Sequence, residues 1–375
     1  MRRYKVILLV ISIALLGIAA SGMYIFSLWY KPLGPALIYP SYTAVTQPVA
    51  SIPGGTVSPS GQATLPSGTP LPQAISSQPA GTVAPPTATP APLCGGPATL
   101  TILAIGSDER SPGYLYGLAD SIHAVHIDFT VPSIMVIDFP RDLWVEIPGI
   151  SEHHGITHGK LNQAYLYGNR GMGYYDGPGE GPGLLAQTLD VNYGLRVDRY
   201  LAVDLTTFAR MVDAVGGVDV VLSNVVDLNG SHGTPDPTLI LSAGSHHLDG
   251  RFTSLLARNR IPSTFQRMEY QKIIINALRE KLLTPAMLPK LPLLVAQFIG
   301  SVQTNLSPSE ISSLLCIARA VPAENIKVDS FPQEMFTAAV TYDENRNVTT
   351  FIYEVDNAKL RGMIADFMNG IWPMP

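Results

Sequence analysis

Uncharged stretches and short bursts of charge alternate along this chain, and the uncharged stretches have three different characters. The first runs from Val6 to Tyr30 without a charged residue, after Arg2, Arg3 and Lys5 and before Lys31. At ~1.5 Å rise per residue such a helix spans roughly 37 Å, enough to cross a ~30 Å hydrocarbon core with some tilt. Three basic residues before the run against one after it predict a cytoplasmic N-terminus, and Trp29 and Tyr30 suit the interfacial aromatic belt. A cleaved signal peptide, with small residues from Ala19 to Gly22 as its processing site, is the alternative. The run outlasts a secretory apolar core of ~7–15 residues, so residues 1–31 are expected to form a single-pass membrane anchor. Either reading exports the rest of the chain.

The second stretch, residues 32–93, is Pro-, Ser- and Thr-rich, as in PPTATPAP, and no Asp, Glu, Lys or Arg occurs between Pro32 and Ser107. Such a segment buries too little apolar surface to offset its conformational entropy, so a disordered stalk is expected. At ~3.1 Å per residue in polyproline form, it would reach up to ~190 Å and lift a head away from the membrane.

The third pattern begins near Cys94. TLTILAIGS (Thr99–Ser107) is a β-branched apolar run that reads as a buried strand, and SIHAVHIDF and SIMVIDF are two more, parted by Val131-Pro132. GPGLLAQTLDVNYG reads as a helix, RYLAVD as a strand, and LTTFARMVDAV as a helix stopped by Gly216-Gly217, followed by the strand VDVVLS. Arg267–Leu283 carries apolar residues at helical spacing and is the longest predicted helix. This alternation predicts an α/β fold, a three-layer α/β/α head with a central mixed sheet over residues 94–283. Residues 284–375 then form an extension of helices and strands packing on the head, with Ser307 or Ser309 capping one helix.

Charge enters the picture by its placement. Charged residues make up only 14% of the chain, and four of the 24 basic ones precede the head, leaving 20 against all 29 acidic residues. A head with net charge −9 argues against nonspecific nucleic-acid binding, which needs a basic footprint. The two cysteines, Cys94 and Cys316, are either one disulfide in an oxidising exterior or two free thiols. His153, His154 and His158 share a Gly-rich loop that reads as a plain loop in preference to a zinc site, and the sequence has no Gly-x-Ser-x-Gly elbow, Walker loop or dinucleotide fingerprint. His123 and His126, three apart on a strand, face opposite ways and make no metal pair.

The charges that remain gather after predicted strands, where α/β folds place their sites. They stand in GSDER (Gly106–Arg110), ADS (Ala119–Ser121), FPRD (Phe139–Asp142), KLNQAY (Lys160–Tyr165), LDG (Leu248–Gly250), RNR (Arg258–Arg260) and FQRMEYQ (Phe265–Gln271). Carboxylates in one half and arginines in the other suit a polyanion held by guanidinium forks, with a divalent cation between phosphate oxygens and carboxylates.

These stretches, with DLTTFARMVDAVGGVDV and in this order, resemble the LytR-CpsA-Psr family from about Leu100 to Leu283. The resemblance implies an apolar tunnel for a polyprenyl chain, with a pyrophosphate and magnesium site at its mouth. Asp108 and Asp120 match the family's metal-side aspartates, and Arg141, Arg258, Arg260 and Arg267 its pyrophosphate-binding arginines. Lys160 and Gln271 match further polar positions. The implied activity is transfer of a glycopolymer from a polyprenyl-pyrophosphate carrier to a peptidoglycan hydroxyl, which makes the lipid-linked glycan and peptidoglycan the partners. The chain departs from the family at Leu118, where an arginine is usual, at Thr264, where an aspartate is usual, and at Leu256 and Tyr270. Arg110 is the candidate to replace the missing guanidinium. The departures leave a second reading open, a head that binds the lipid-linked glycan without transferring it. A transcriptional attenuator is a third, disfavoured by the acidic exported head.

Overall fold

A computed structural model describes residues 27–39, 91–109, 113–153, 155–229 and 236–372. The expected anchor and stalk lie outside the described residues, apart from Ser27–Tyr39 and Ala91–Leu93. Among the described residues no helix is long and apolar enough to cross a membrane.

The core is a six-stranded mixed sheet. Strand β1 (Thr99–Ser107) pairs antiparallel with β2 (Ala119–Asp128), which pairs antiparallel with β3 (Ser133–Asp138). A small hairpin, β4 (Trp144–Glu146) and β5 (His158–Lys160), follows, and then helices α1 (Leu161–Gly168) and α2 (Glu180–Tyr193). β6 (Arg199–Asp204) returns parallel to β1 on its other side and leads at once into α3 (Leu205–Ala214). The turn is immediate because the Asp204 carboxylate accepts the Thr207 N–H and so caps the helix.

β7 (Val218–Leu222) follows the expected stop at Gly216-Gly217, where both glycines have positive φ. At Gly217 the requirement is also steric, since a Cβ would lie 2.8 Å from the Leu248 carbonyl oxygen. The short pair β8 (Val226–Asp227) and β9 (Ile240–Leu241) precedes β10 (Gly244–Leu248), which pairs with β7. Helix α4 (Gly250–Arg258), capped by Asp249, and α5 (Thr264–Leu282) close the region. The latter starts three residues earlier than its apolar stripe suggests, because the Ser263 hydroxyl accepts the Gln266 N–H.

The segment read as an extension is part of the sheet. After α6 (Leu291–Phe298), β11 (Gln303–Thr304) joins the β6 edge. After α7 (Pro308–Ala320), β12 (Ile326–Ser330) pairs parallel with β3, giving the order β11-β6-β1-β2-β3-β12. Ser307, rather than Ser309, caps α7, in a capping box with Glu310. The hairpin β13 (Phe336–Asp343) and β14 (Val348–Val355) and helix α8 (Asn357–Met368) complete the chain.

Strand alternation sends side chains to both faces. Leu103 and Ile105 pack with Tyr165 of α1 and Leu184, Leu185 and Leu189 of α2. Leu100 and Ile102 meet Ile317 of α7 on the other face. A further core joins Val212, Val218, Leu256 and Ile274 where α3, α4 and α5 meet β7. Helices therefore cover both faces of the sheet. Cys94 and Cys316 form a disulfide that ties the start of the head to α7 across 222 residues of sequence.

Residues 32–39, which the composition assigns to the stalk, lie on the head. The Leu33 N–H donates to the Leu306 carbonyl at 3.2 Å, and Gln187 Nε2 donates to the Ile38 carbonyl at 3.0 Å. The Tyr39 hydroxyl donates to the Val197 carbonyl at 2.7 Å, and Leu37 and Tyr39 pack on the main core.

Candidate functional site

The C-terminal end of β1 delivers Asp108, and the N-terminal end of β2 delivers Asp120, because the two strands run antiparallel. Leu118 fixes the first of these through its backbone. Its N–H donates to the Asp108 carboxylate at 2.7 Å, and its carbonyl accepts the Asp108 N–H at 3.1 Å. Burial, reinforced by the nearby charge of Asp120, holds the Asp108 carboxyl above its ordinary pKa against that hydrogen bond.

Asp120 is engaged by a guanidinium instead. Arg141, just after β3, forms an ion pair with it, and the Arg141 Nε stands 3.5 Å from Asp142. Burial works against the charge on Arg141, yet Asp120 and Asp142 more than offset it and raise its pKa. Asp142 is 5% exposed and also takes Lys160 Nζ at 3.0 Å and the Thr264 hydroxyl at 3.3 Å. Burial favours its neutral form, but Arg141 and Lys160 prevail and hold the carboxyl below the usual carboxylate range.

Arg267, on the first turn of α5, is 2% exposed. Its Nε has no hydrogen-bond partner, and no carboxylate among the described residues lies within ion-pair distance of it. Burial lowers its pKa to about 10, and Arg141 and Arg260 push the same way against Asp120 and Asp142. A buried guanidinium with less than a full counter-charge is a receptor for an anion.

Two hollows flank the Asp120–Arg141 pair. Asp120 lines one of about 250 Å³ with an almost wholly apolar wall from β1, β6, α3 and α5, including Val203, Phe208 and Ile274. Arg258 and Gln271 stand on its rim, and Gln271 is anchored by a hydrogen bond to the Ala257 carbonyl at 3.1 Å. A cavity of roughly 150 Å³ takes one benzene-sized molecule, so this one has room for a short apolar segment and not for a long chain. Arg141 lines the other hollow, of about 480 Å³, a more polar cleft that sets Asp142, Lys160, Tyr174 and Arg346 beside apolar Leu118, Leu166 and Met172.

Asp108, Asp120, Arg141 and Arg267 thus share one neighbourhood, with Lys160 joined to it through Asp142. Arg258 and Gln271 meet it at the apolar rim. Arg260 is exposed and is linked to the group only through its charge on Arg267. The RNR pair is therefore split between two environments, because the buried Asn259 caps α4 between them. Arg110 lies outside the described residues. His123 and His126 do face opposite ways. His123 lines the apolar hollow, where Ser121 contacts its Nε2 at 2.6 Å and burial lowers its pKa to about 4, while His126 bonds Thr101 and packs on Phe367.

Sequence reasoning passed over Asp142, Tyr174 and Arg346. Asp142 was visible as the last letter of FPRD. Arg346 carried no signal, since it sits in the β13–β14 turn, about 200 positions from the strands it faces. At the departures, Thr264 replaces an acid with a hydroxyl aimed at Asp142, and Leu256 and Tyr270 are core residues.

The comparisons agree on kinship. Regulatory protein MsrR of Staphylococcus aureus is 29% identical over 214 residues, 56% of this chain and 58% of its own length. The polyisoprenyl-teichoic acid–peptidoglycan teichoic acid transferase TagU of Oceanobacillus iheyensis is 28% identical over 219 residues, 58% of this chain and 62% of its own. The chain thus matches less than two thirds of the length of these curated relatives. The crystal structure of B. subtilis TagV superposes with a TM-score of 0.56 at 23% identity, covering 72% of this chain and 97% of that one. The LytR_cpsA_psr family model matches residues 95–365, nearly the whole head, and the chain belongs to that family.

Proposed function

We propose that this protein binds a polyprenyl-pyrophosphate-linked glycan and transfers its phosphoglycosyl group to a hydroxyl of peptidoglycan, in cell wall biogenesis. The observation that carries the reading is Arg267, a buried and under-compensated guanidinium within electrostatic reach of the Asp120–Arg141 pair that the two hollows flank. The two hollows suit the two halves of such a donor, prenyl on one side and glycan on the other, with the pyrophosphate at the arginines between them. TagU, whose name describes this kind of reaction, is a relative over 58% of the chain.

In the proposed step the acceptor hydroxyl oxygen bonds to the phosphorus that carries the sugar. The bond from that phosphorus to the bridging oxygen breaks, and polyprenyl phosphate leaves with the electron pair. Asp108 takes the hydroxyl proton. Asp120 is the poorer acceptor because Arg141 already engages it. Arg141 and Arg267 stabilise charge on the transferred and leaving phosphates.

Magnesium fits the donor set. Asp108 and Asp120 lie within electrostatic reach of each other, and among the described residues no third His, Cys, Asp or Glu gathers with them as a cage. A hard, reluctantly dehydrated ion is commonly held by one or two carboxylates plus substrate phosphates. When bound there it would supply neutralisation of phosphate charge.

The anchor and extracytoplasmic placement of the head belong to the same proposal, since both the lipid donor and the wall acceptor meet at the outer membrane face. The test is mass spectrometry of lipid co-purifying with the detergent-solubilised full chain, followed by a transfer assay with a peptidoglycan acceptor. A polyprenyl-pyrophosphate glycan retained and transferred is expected. Retention without transfer in the presence of magnesium would reject the enzyme and leave the binding head, a reading that Leu118 on the wall of the polar cleft favours.

A further inference from the structure

The outer end of the N-terminal apolar run and the chain at the start of the head meet in one place. Trp29 and Tyr30 line a hollow of about 260 Å³ together with Cys94, Gly95, Gly96 and Pro97, beside the disulfide. From there residues 31–39 run along the β11 side of the sheet to Val197, held by the three hydrogen bonds at Leu33, Ile38 and Tyr39. The Val197 N–H donates back to the Tyr39 hydroxyl at 3.0 Å, and the Arg196 guanidinium lies over its ring. Gly34 marks how closely the segment lies, because a Cβ there would come within 2.5 Å of the Thr304 carbonyl oxygen. Such a contact, seated on backbone, excludes every other residue.

We infer that residues 31–39 are a strap that fixes the head directly to the outer end of the anchor, so that the Pro-rich residues 40–90 do not set its distance from the membrane. Both ends of residues 40–90, Tyr39 and Ala91, belong to the unit that holds the head. A segment that departs from the head and returns to it cannot act as a spacer beneath it. Leu28, Trp29, Tyr30 and Leu33 remain exposed, as suits residues at a headgroup boundary.

The strap also sets where the site stands. The Trp29–Tyr30 hollow includes Leu100, at the N-terminal end of β1, whereas Asp108 follows its C-terminal end. Nine residues of strand at ~3.3 Å each put these ends about 30 Å apart. The phosphate-binding arginines are then held at one fixed separation from the anchor's end, rather than ranging over the length of a stalk. This inference rests on the membrane-anchor reading above.

The test uses the full chain in phospholipid vesicles, with a donor dye on Leu115→Cys and acceptor dyes on the lipid headgroups. Five chains are compared: the natural sequence, one lacking residues 45–85, the Gly34→Leu and Tyr39→Ala variants, which loosen the strap in two independent ways, and Gly34→Leu combined with the deletion. Unchanged melting of the head shows that the variants fold. With the strap in place, the deletion leaves energy transfer unchanged, and each strap variant lowers it severalfold. Adding the deletion to Gly34→Leu restores it. Transfer that rises on deletion in the natural sequence, or that ignores both strap variants, overturns the strap while leaving the anchor intact. A chain that does not float with the vesicles overturns the anchor, and the strap with it.

Discussion

Arg141 stands close enough to Arg267 for its charge to lower the pKa of that buried guanidinium, and of the two only Arg141 has carboxylates in ion-pair contact. Each disfavours the charge of the other. The site is therefore electrostatically incomplete until an anion enters, and that incompleteness is the common source of the first predictions.

Replacing Arg267 by Met should stabilise the ligand-free head while weakening it as a receptor. The fold gives up a buried, under-paired charge, and such replacements are often worth ~1–4 kcal/mol. Calorimetry should show a higher melting temperature for the variant without ligand. Inorganic pyrophosphate should raise the melting temperature of the natural protein and leave the variant unmoved. A melting temperature that falls in Arg267→Met would mean the guanidinium is already compensated.

Asp108→Asn should reduce transfer by roughly 10²-fold or more, the range for loss of a positioned base, with little change in melting. The pH dependence has a definite sign. A carboxyl whose pKa is raised takes up its proton at higher pH on acidification, and a bound cation opposes that shift, so the acid limb of the rate should lie above the ~3.9 of a free aspartate at low magnesium and move down as magnesium is added. Rate is lost as pH falls through that raised pKa. The Asn variant should lack this limb, and a residual rate with the same acid limb would assign it elsewhere.

Leu118→Arg should raise turnover at least tenfold with a smaller change in lipid affinity. The Leu118 side chain lies on the wall of the polar cleft beside Arg141 and Lys160, so a guanidinium there can reach phosphates lodged between them. One charged contact made in the transition state is worth ~2–3 kcal/mol, or about 30–150-fold in rate. Its backbone role in holding Asp108 does not depend on the side chain. Equal, appreciable turnover in the two forms would show that another group already fills the place.

Val203→Phe should fill part of the apolar hollow. Titration calorimetry should then show weaker binding of a long-chain prenyl pyrophosphate and unchanged binding of inorganic pyrophosphate. Equal affinities for the prenyl ligand in both proteins would place the chain outside this hollow.

The Cys94–Cys316 bridge should make both thiols resist alkylation until reduction. The Cys94→Ser/Cys316→Ser double variant should melt lower. Closing a loop of 222 residues sets an entropic ceiling of about 5 kcal/mol on the loss. A thiol titration of two per unreduced chain would refute the bridge.

Local patterning was enough for much of this molecule. β1 could be read to the residue, because a β-branched run bounded by Gly106-Ser107 has one sensible end, and α3 because Asp204 caps it and Gly216-Gly217 stop it. Part of the charged set that the sequence placed after strands does converge, since antiparallel β1 and β2 bring Asp108 and Asp120 to the same edge, whereas Asp249 caps a helix and Arg260 stays exposed. Other features depended on contacts that no local pattern encodes. Residues 32–39 look like stalk by composition, yet a backbone bond from Leu33 to Leu306, the Gln187 side chain on the Ile38 carbonyl and the Tyr39 hydroxyl on Val197 hold them, and these partners are all more than 100 residues away in sequence. Gln303–Thr304 and Ile326–Ser330 read as parts of an extension, but edge pairing with β6 and β3 makes them sheet. The sequence determined which groups carry charge. Only tertiary packing decided that Arg141 would be paired and Arg267 left without a carboxylate, because that balance depends on distances between segments more than 120 residues apart.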